Sequence, residues 1–218
     1  MPSAVVYLGP SLRLEEARAI LDAEYLPPIK RGDVEALLRR ESLPDAIGIV
    51  DGQFFQNFSI SPKEILRAIE KGIKVFGSSS MGVLRAVELA PYGMTGVGQI
   101  FRLFATGELD ADDEVAMIYD DSNLKPISDP LVNIRVALAA ANRQGVISDA
   151  THELMVQEAK RIYFPERTFA YVLNRLESQI SEDERSRFKR FLDTDAPDAK
   201  REDAIELLQQ IKLYLAGL

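Results

Sequence analysis

The stretch over residues 75–88 constrains the fold most, because it joins a short apolar segment to a helical one through a glycine and three serines. Residues 74–76 suit a buried strand, since β-branched and aromatic side chains fit a pleated surface. Gly77 ends that strand, and the serines at 78–80 precede the helical period. The first N–H groups of such a helix attract anions, so we expect function at this turn.

Further strands and helices alternate along the first half of the chain. Residues 4–8 and 46–50 are apolar strands, residues 24–28 are a shorter one, and helical patterns begin after Ser11, its expected cap, and after Ser61. This alternation predicts an α/β fold with a mostly parallel, Rossmann-like open sheet flanked by helices. The carboxyl ends of parallel strands meet at one edge, where ligands bind. The segments expected at that edge are Gly9-Pro10-Ser11, Asp51-Gly52 and the turn from Gly77 to Gly82.

The second half of the chain is predicted to be mainly helical. Residues 93–98 form a glycine-rich connection, and residues 115–119 are expected to add one more strand. From Pro130 onward the apolar spacing is helical. We therefore predict an α/β core over residues 1–128 and an all-helical C-terminal region over residues 129–218, packed on the core.

Composition excludes several classes of function. The 218-residue chain has a net charge of −8, which argues against nucleic acid as a partner. It has no cysteine and one histidine, so we expect no disulfide, no thiolate chemistry and no metal site, and we predict no cofactor. The sequence shows neither an apolar run near 18 residues nor a secretory signal at its start. We therefore expect a cytoplasmic protein with no membrane partner.

The central turn partly matches two motifs that carry chemistry. Gly77 and Gly82 satisfy the first half of a phosphate-binding loop, but Val83 and Leu84 stand where Lys and Ser or Thr are needed. A strand-to-helix turn also exposes a serine beside backbone N–H groups, so Ser79 or Ser80 is a candidate nucleophile. From the residues alone, the favoured alternative is that Ser79 and Ser80 are helix caps and that Lys63 is a surface charge.

The charged residues offer few candidates for a base beside that serine. The lone His152 lies in the helical tail, which disfavours a Ser-His-Asp triad. Lys63 falls in the first turn of a helix near the same edge, where the helix dipole disfavours a positive charge and a neutral amine could take the serine proton. Asp51 could orient Lys63 or form a turn with Gly52. Arg85 and Glu88 could pair with each other or face a partner.

Several segments together resemble the TfuA family. They are Gly9-Pro10-Ser11, Asp51-Gly52 with Phe54, Lys63-Glu64-Ile65, the block from Gly77 to Ala86, Glu88-Leu89, the glycine-rich 92–98, Asp113-Glu114-Val115-Ala116 and Pro130-Leu131-Val132-Asn133. The resemblance covers roughly residues 4–145, and the Ser-Met-Gly sequence at 80–82 is its most specific part.

The resemblance implies a role beside YcaO enzymes in peptide backbone thioamidation. YcaO activates an amide oxygen with ATP, and sulfur replaces that oxygen. The family is associated with hydrolysing a thiocarboxylated, ThiS-like sulfur carrier to release sulfide, and with helping YcaO engage its peptide. The implied partners are YcaO, the ThiS-like carrier and the peptide or protein that YcaO modifies.

A Ser-Lys pair is attributed to the family. It maps best onto Lys63 and onto Ser80 or Ser79, with Ser80 preferred because it precedes Met81-Gly82. The residues expected to contact substrate or partner are Gly9, Pro10, Ser11, Asp51, Gly77, Gly82, Arg85 and Glu88. Two alternatives stay open at this point. The first is a non-catalytic adaptor that docks through the loop carrying Phe54, Phe55 and Phe58. The second is a hydrolase of small molecules.

Overall fold

A computed structural model describes residues 2–54 and 59–218 of the chain. Phe55 and Phe58 of the aromatic loop lie outside the described residues. The chain divides into two compact units, one over residues 1–110 together with 200–218 and the other over residues 111–199. The domain boundary at residue 128 stays a prediction. No helix in residues 2–54 and 59–218 has the length and apolar character needed to cross a membrane.

The first unit contains a five-stranded sheet in which every neighbouring pair is parallel. The spatial order is β2-β1-β3-β4-β5, with a register that aligns Tyr7, Ile49 and Gly77 across the three central strands. The strands are β1 (Ala4–Tyr7), β2 (Glu24–Leu26), β3 (Ala46–Ile49), β4 (Lys74–Gly77) and β5 (Thr95–Gly96). The predicted α/β fold with a parallel sheet is confirmed. The short β5 falls within the segment that was expected to be a connection.

Helices follow the strands in the expected alternation. Those of the first unit are α1 (Leu14–Ile20), α2 (Asp33–Leu37), α3 (Pro62–Glu70), α4 (Met81–Leu89), α5 (Gln99–Ala105) and, from the chain's end, α10 (Ala199–Ala216). The start of α3 is as predicted, with Ser61 as the cap, Pro62 in the first turn and Glu64 completing a capping box. The expected cap of α1 is wrong, because Arg13 occupies that position and Ser11 bonds Asp51 instead.

Both faces of the sheet are covered by apolar side chains. On one face, residues such as Ile47, Ile65 and Ala86 form a core with α3 and α4. On the other face, α10 contributes four buried residues to a core that includes Val6 and Phe76; these four are Ala204, Leu207, Leu208 and Ile211. Gly48 gives α10 its close approach, since a Cβ there would lie 2.7 Å from Ile211 Cδ1. The last helix of the sequence is thus an integral layer of the first unit.

The second unit is built from four helices around its own core. They are α6 (Leu131–Arg143), α7 (Asp149–Arg161), α8 (Phe169–Arg175) and α9 (Glu182–Thr194). The helical C-terminal region is therefore confirmed. The buried Arg167 guanidinium donates to carbonyl oxygens of Ala159, Ile162 and Asp113 and to the Asp113 carboxylate. Through these hydrogen bonds, Arg167 connects the segment before α6 to the segment between α7 and α8.

The strand expected over residues 115–119 is wrong. Only Tyr119 pairs in β fashion, through an isolated antiparallel bridge with Pro126. The hydrogen bonds of this bridge come from its neighbours, with Asp120 N–H donating to Lys125 O at 2.9 Å and Ile127 N–H donating to Ile118 O at 2.8 Å. The pairing extends no further, because Ile118 N–H donates to the side chain of Ser128, at 2.8 Å.

Candidate active site

The turns after the three central strands converge on one edge of the sheet, as predicted. The carboxylate of Asp51, directly after β3, accepts hydrogen bonds from Gly9 N–H at 2.9 Å and Ser11 N–H at 3.1 Å. Its other oxygen accepts from Ser11 Oγ at 2.6 Å. Among the described residues, Lys63 is not one of its hydrogen-bond partners. Asp51 therefore fixes the turn containing Pro10 after β1, and the interpretation that it orients Lys63 is not supported.

Gly77 and Gly82 allow backbone segments to pack closely against each other at this edge. A Cβ on Gly82 would lie 1.7 Å from the carbonyl oxygen of Ile49, and one on Gly77 would lie 2.2 Å from the carbonyl oxygen of Gly82. Real Cβ contacts are not found below 3.0 Å. The first turn of α4 is thus pressed against the backbone of β3 and β4, which fixes the position of the preceding serines.

The serine turn holds its backbone in an unusual path. Ser79 has a φ of +60°, a conformation that non-glycine residues rarely adopt. The N–H of Ser80 donates to Val50 O, at 3.3 Å, and to Ser78 O, at 2.7 Å. Ser80 occupies the N-cap position of α4, but its hydroxyl makes no capping hydrogen bond. The alternative that Ser80 serves as a helix cap is therefore wrong, and its hydroxyl is available for another partner.

That partner is Lys200, from the first turn of α10. Lys200 Nζ lies 3.1 Å from Ser80 Oγ, and each residue is only 2% exposed. The neighbouring Ser79 Oγ donates to the backbone carbonyl of Lys200 at 2.7 Å. The serine turn therefore contacts Lys200 at two places, the side-chain amine and the backbone carbonyl.

Lys63 is placed differently from expectation. Its side chain is exposed on α3, and its backbone N–H donates to Ser61 Oγ at 3.3 Å. Within the described chain, Lys63 makes no hydrogen bond with Ser80. The lysine that the fold brings to the serine turn comes instead from 120 residues further along the sequence.

Backbone N–H groups border the serine hydroxyl. The first N–H groups of a helix have no acceptor in their own helix. In α4, Gly82 N–H donates to Val50 O at 3.3 Å and Val83 N–H donates to Ser80 O at 3.1 Å. Met81 N–H, directly after Ser80, has no hydrogen-bond partner in residues 2–54 and 59–218. This donor occupies the position that stabilises an oxyanion in other strand-turn-helix nucleophile sites.

The remaining candidate residues have structural partners. Arg85 and Glu88 pair with each other across one turn of α4, with Arg85 Nη1 2.6 Å from Glu88 Oε1, so the pairing alternative is the one observed. Phe54 is half-buried and packs against the core beside α3. Phe54 itself therefore lacks the full exposure that docking through its ring would favour.

The sequence did not predict Lys200 as a site residue, because the prediction for the C-terminal helices depended only on their apolar residues. On a 3.6-residue period, positions 200 and 203 fall on the same face as the apolar positions 204, 207, 208 and 211. Charged residues on the buried stripe of an amphipathic helix need a partner, so this pattern was the available signal.

Comparison with known proteins agrees with the residues at this edge. A model of the family described as TfuA-like protein matches residues 51–168, just over half of the chain. The match begins at Asp51 and includes the whole serine turn and α4. No curated protein matches the sequence.

Proposed function

Since the chain belongs to the TfuA-like protein family, we propose that it hydrolyses a thiocarboxylated, ThiS-like sulfur carrier and so supplies sulfide for YcaO-dependent thioamidation. Family membership is consistent with an accessory role beside a YcaO enzyme. The observation that carries the hydrolytic step is the buried contact between Lys200 Nζ and Ser80 Oγ. Serine hydrolases that lack a histidine base use a neutral lysine in this way.

Ser80 is the nucleophile in this proposal, and Ser79 supports it. The Ser79 hydroxyl donates a hydrogen bond to the backbone carbonyl of Lys200, so Ser79 Oγ faces the lysine backbone. Ser80 occupies the N-cap position of α4, and its hydroxyl contacts the Lys200 amine. Lys200 takes the role that the resemblance had assigned to Lys63.

The reaction begins with a proton transfer at Ser80. In this proposal Lys200 acts in its neutral form, and its amine accepts the Oγ proton across the 3.1 Å contact. Oγ then bonds to the carbonyl carbon of the carrier's terminal thiocarboxylate. The N–H of Met81 stabilises the negative charge that develops on the carbonyl oxygen.

Collapse of this intermediate breaks the carbon–sulfur bond. Sulfur leaves as hydrosulfide with the proton held by Lys200, and the carrier remains as an ester on Ser80. Water then loses a proton to Lys200 and attacks the ester. The carrier departs as a carboxylic acid, which loses its proton to bulk water, and the proton held by Lys200 returns to Ser80 Oγ. Lys200 is the base in both steps, Ser80 is the nucleophile in the first and water in the second, and no thiol is required.

The test is sulfide release from a thiocarboxylated ThiS-like carrier, measured with and without a YcaO enzyme. Wild type should release sulfide, and Ser80→Ala should release none while keeping its circular dichroism spectrum. Sulfide release by Ser80→Ala at the wild-type rate would refute the proposed nucleophile. If wild type releases no sulfide yet strengthens YcaO binding to its peptide, the protein is an adaptor and the hydrolytic proposal fails.

A further inference from the structure

Asp203 is a buried carboxylate on α10 that the proposed chemistry does not use. It is 2% exposed, and its two oxygens accept hydrogen bonds from Gln99 N–H at 2.7 Å and Ile100 N–H at 2.8 Å. These are the first two N–H groups of α5. The residue at the N-cap position of α5 is Gly98, which has no side chain to cap them. Asp203 therefore caps α5 from more than a hundred residues away.

The fit between Asp203 and α5 is specific. A Cβ on Gly98 would lie 2.1 Å from Asp203 Cγ and 2.4 Å from each carboxylate oxygen. Gly98 also has a φ of +98°, which other residues rarely adopt. The absence of a side chain at this position is what lets the carboxylate reach the N–H groups. One turn further along α10, Glu206 lies 3.8 Å from Arg102 of α5.

Asp203 lies one helical turn after Lys200. Residues three apart on a helix share a face, so both side chains point from α10 toward the carboxyl edge of the sheet. Lys200 is held at its carbonyl by Ser79 Oγ, and Asp203 is held by the start of α5. We propose that Asp203 is a positioning residue whose capping of α5 fixes the first turn of α10, so that the Lys200 amine stays within reach of Ser80. This role rests on the proposed function.

The ionisation of Asp203 gives this contact a pH dependence. Burial raises the pKa of Asp203 to about 6, although the two N–H donors act in the opposite direction. The charged groups that face it are Glu206, which raises the pKa, and Arg102, which lowers it. Above this pH both oxygens accept hydrogen bonds. Below it, one oxygen carries a proton and can no longer accept in the same way from an N–H group.

The experiment follows covalent labelling of Ser80 by a fluorophosphonate. Ser80 Oγ bonds to phosphorus, fluoride leaves, and the serine proton passes to Lys200. The labelling rate is read by intact mass from pH 5 to 9 for wild type, Asp203→Asn and Glu206→Gln. Glu206→Gln is the matched control, because it removes a more exposed carboxylate from the next turn of the same helix.

We expect Asp203→Asn to be labelled about tenfold more slowly or worse, since small displacements of a catalytic group have large effects on rate. Glu206→Gln should stay within about twofold of wild type. The wild-type profile should also show an ionisation near pH 6, which Asp203→Asn lacks and Glu206→Gln keeps. This ionisation distinguishes positioning from a general loss of stability, and it can be read from wild type even if the variant does not fold.

The outcomes separate this role from the function on which it rests. Asp203→Asn labelled at the wild-type rate, with Lys200→Met unlabelled, would overturn the positioning role and leave the serine–lysine pair standing. A wild-type profile without an ionisation near pH 6 would also overturn it. If wild type takes up no label at any pH, the proposed function and the positioning role fail together.

Discussion

Gly82→Ala should destabilise the protein, although replacing glycine by alanine inside a helix ordinarily stabilises it by about 1 kcal/mol. The new Cβ would lie 1.7 Å from the carbonyl oxygen of Ile49, where contacts below 3.0 Å are not found. The start of α4 and the end of β3 must therefore separate by about 1.3 Å. The obstructing atom belongs to the backbone of a central strand, so it cannot rotate away.

Overpacking of this kind costs about 1–3 kcal/mol and sometimes more. Because the neighbour is rigid, we expect a value at the upper end and a net loss of about 2 kcal/mol after the gain in helix propensity. The same displacement moves Ser80 relative to Lys200, whose contact is 3.1 Å in the native structure. The folded fraction of Gly82→Ala should therefore also react slowly with a fluorophosphonate.

The assay is urea unfolding followed by circular dichroism, with Gly217→Ala as the matched control. A Cβ on Gly217 would come no closer than 3.5 Å to Tyr214 O, so this variant should stay within about 0.5 kcal/mol of wild type. If Gly82→Ala is as stable as wild type or more stable, the close packing of α4 on β3 is not what requires glycine there, and the reasoning is refuted.

Three further outcomes are expected. Ser79→Ala should lower the free energy of unfolding by about 1–2 kcal/mol, because the Ser79 hydroxyl donates a hydrogen bond to the Lys200 carbonyl. The fluorophosphonate should still label Ser80 in this variant. If Ser79→Ala takes up no label while Ser80→Ala is fully labelled, Ser79 is the nucleophile. The pKa of Asp203 is about 6 in the folded protein against 3.8 for an ordinary aspartate, so the folded state holds this proton more tightly than the unfolded state does. The resulting stabilisation is fully present below pH 4 and is lost as the pH rises through 6. Urea unfolding should therefore show wild type losing roughly 3 kcal/mol more than Asp203→Asn between pH 4 and 7, and parallel curves would contradict this. Arg167→Met should destabilise the second unit by about 3 kcal/mol, since its buried guanidinium donates four hydrogen bonds that methionine cannot make, and an unchanged urea transition would contradict this role.

The sheet could be predicted because each of its signals is local. Apolar runs, the glycines that follow them and the capping residues at Ser61 and Pro62 lie within a few residues of one another. The parallel arrangement then follows from the alternation of strands and helices. The segment 115–119 misled the prediction because its apolar character is that of a strand, while the Ser128 side chain that takes the Ile118 N–H lies ten residues away.

The serine turn could be found for the same reason, but the lysine that contacts it could not. Ser80 and Lys200 are 120 residues apart, and no local pattern specifies that pairing. Lys63 was a reasonable alternative, because a first-turn lysine near the right sheet edge has the required chemistry. What decides between the two lysines is the packing of α10 on the sheet, and Gly48 contributes to that packing from the middle of β3.

We propose that Lys200, and not Lys63, is the base for Ser80. The most direct measurement compares sulfide release from a thiocarboxylated carrier by Lys200→Met and Lys63→Met, both confirmed to be folded. We expect a loss of about 100-fold or more for Lys200→Met, the size expected for removing a general base, and near wild-type release for Lys63→Met. Wild-type release by Lys200→Met, with activity lost in Lys63→Met, would contradict it.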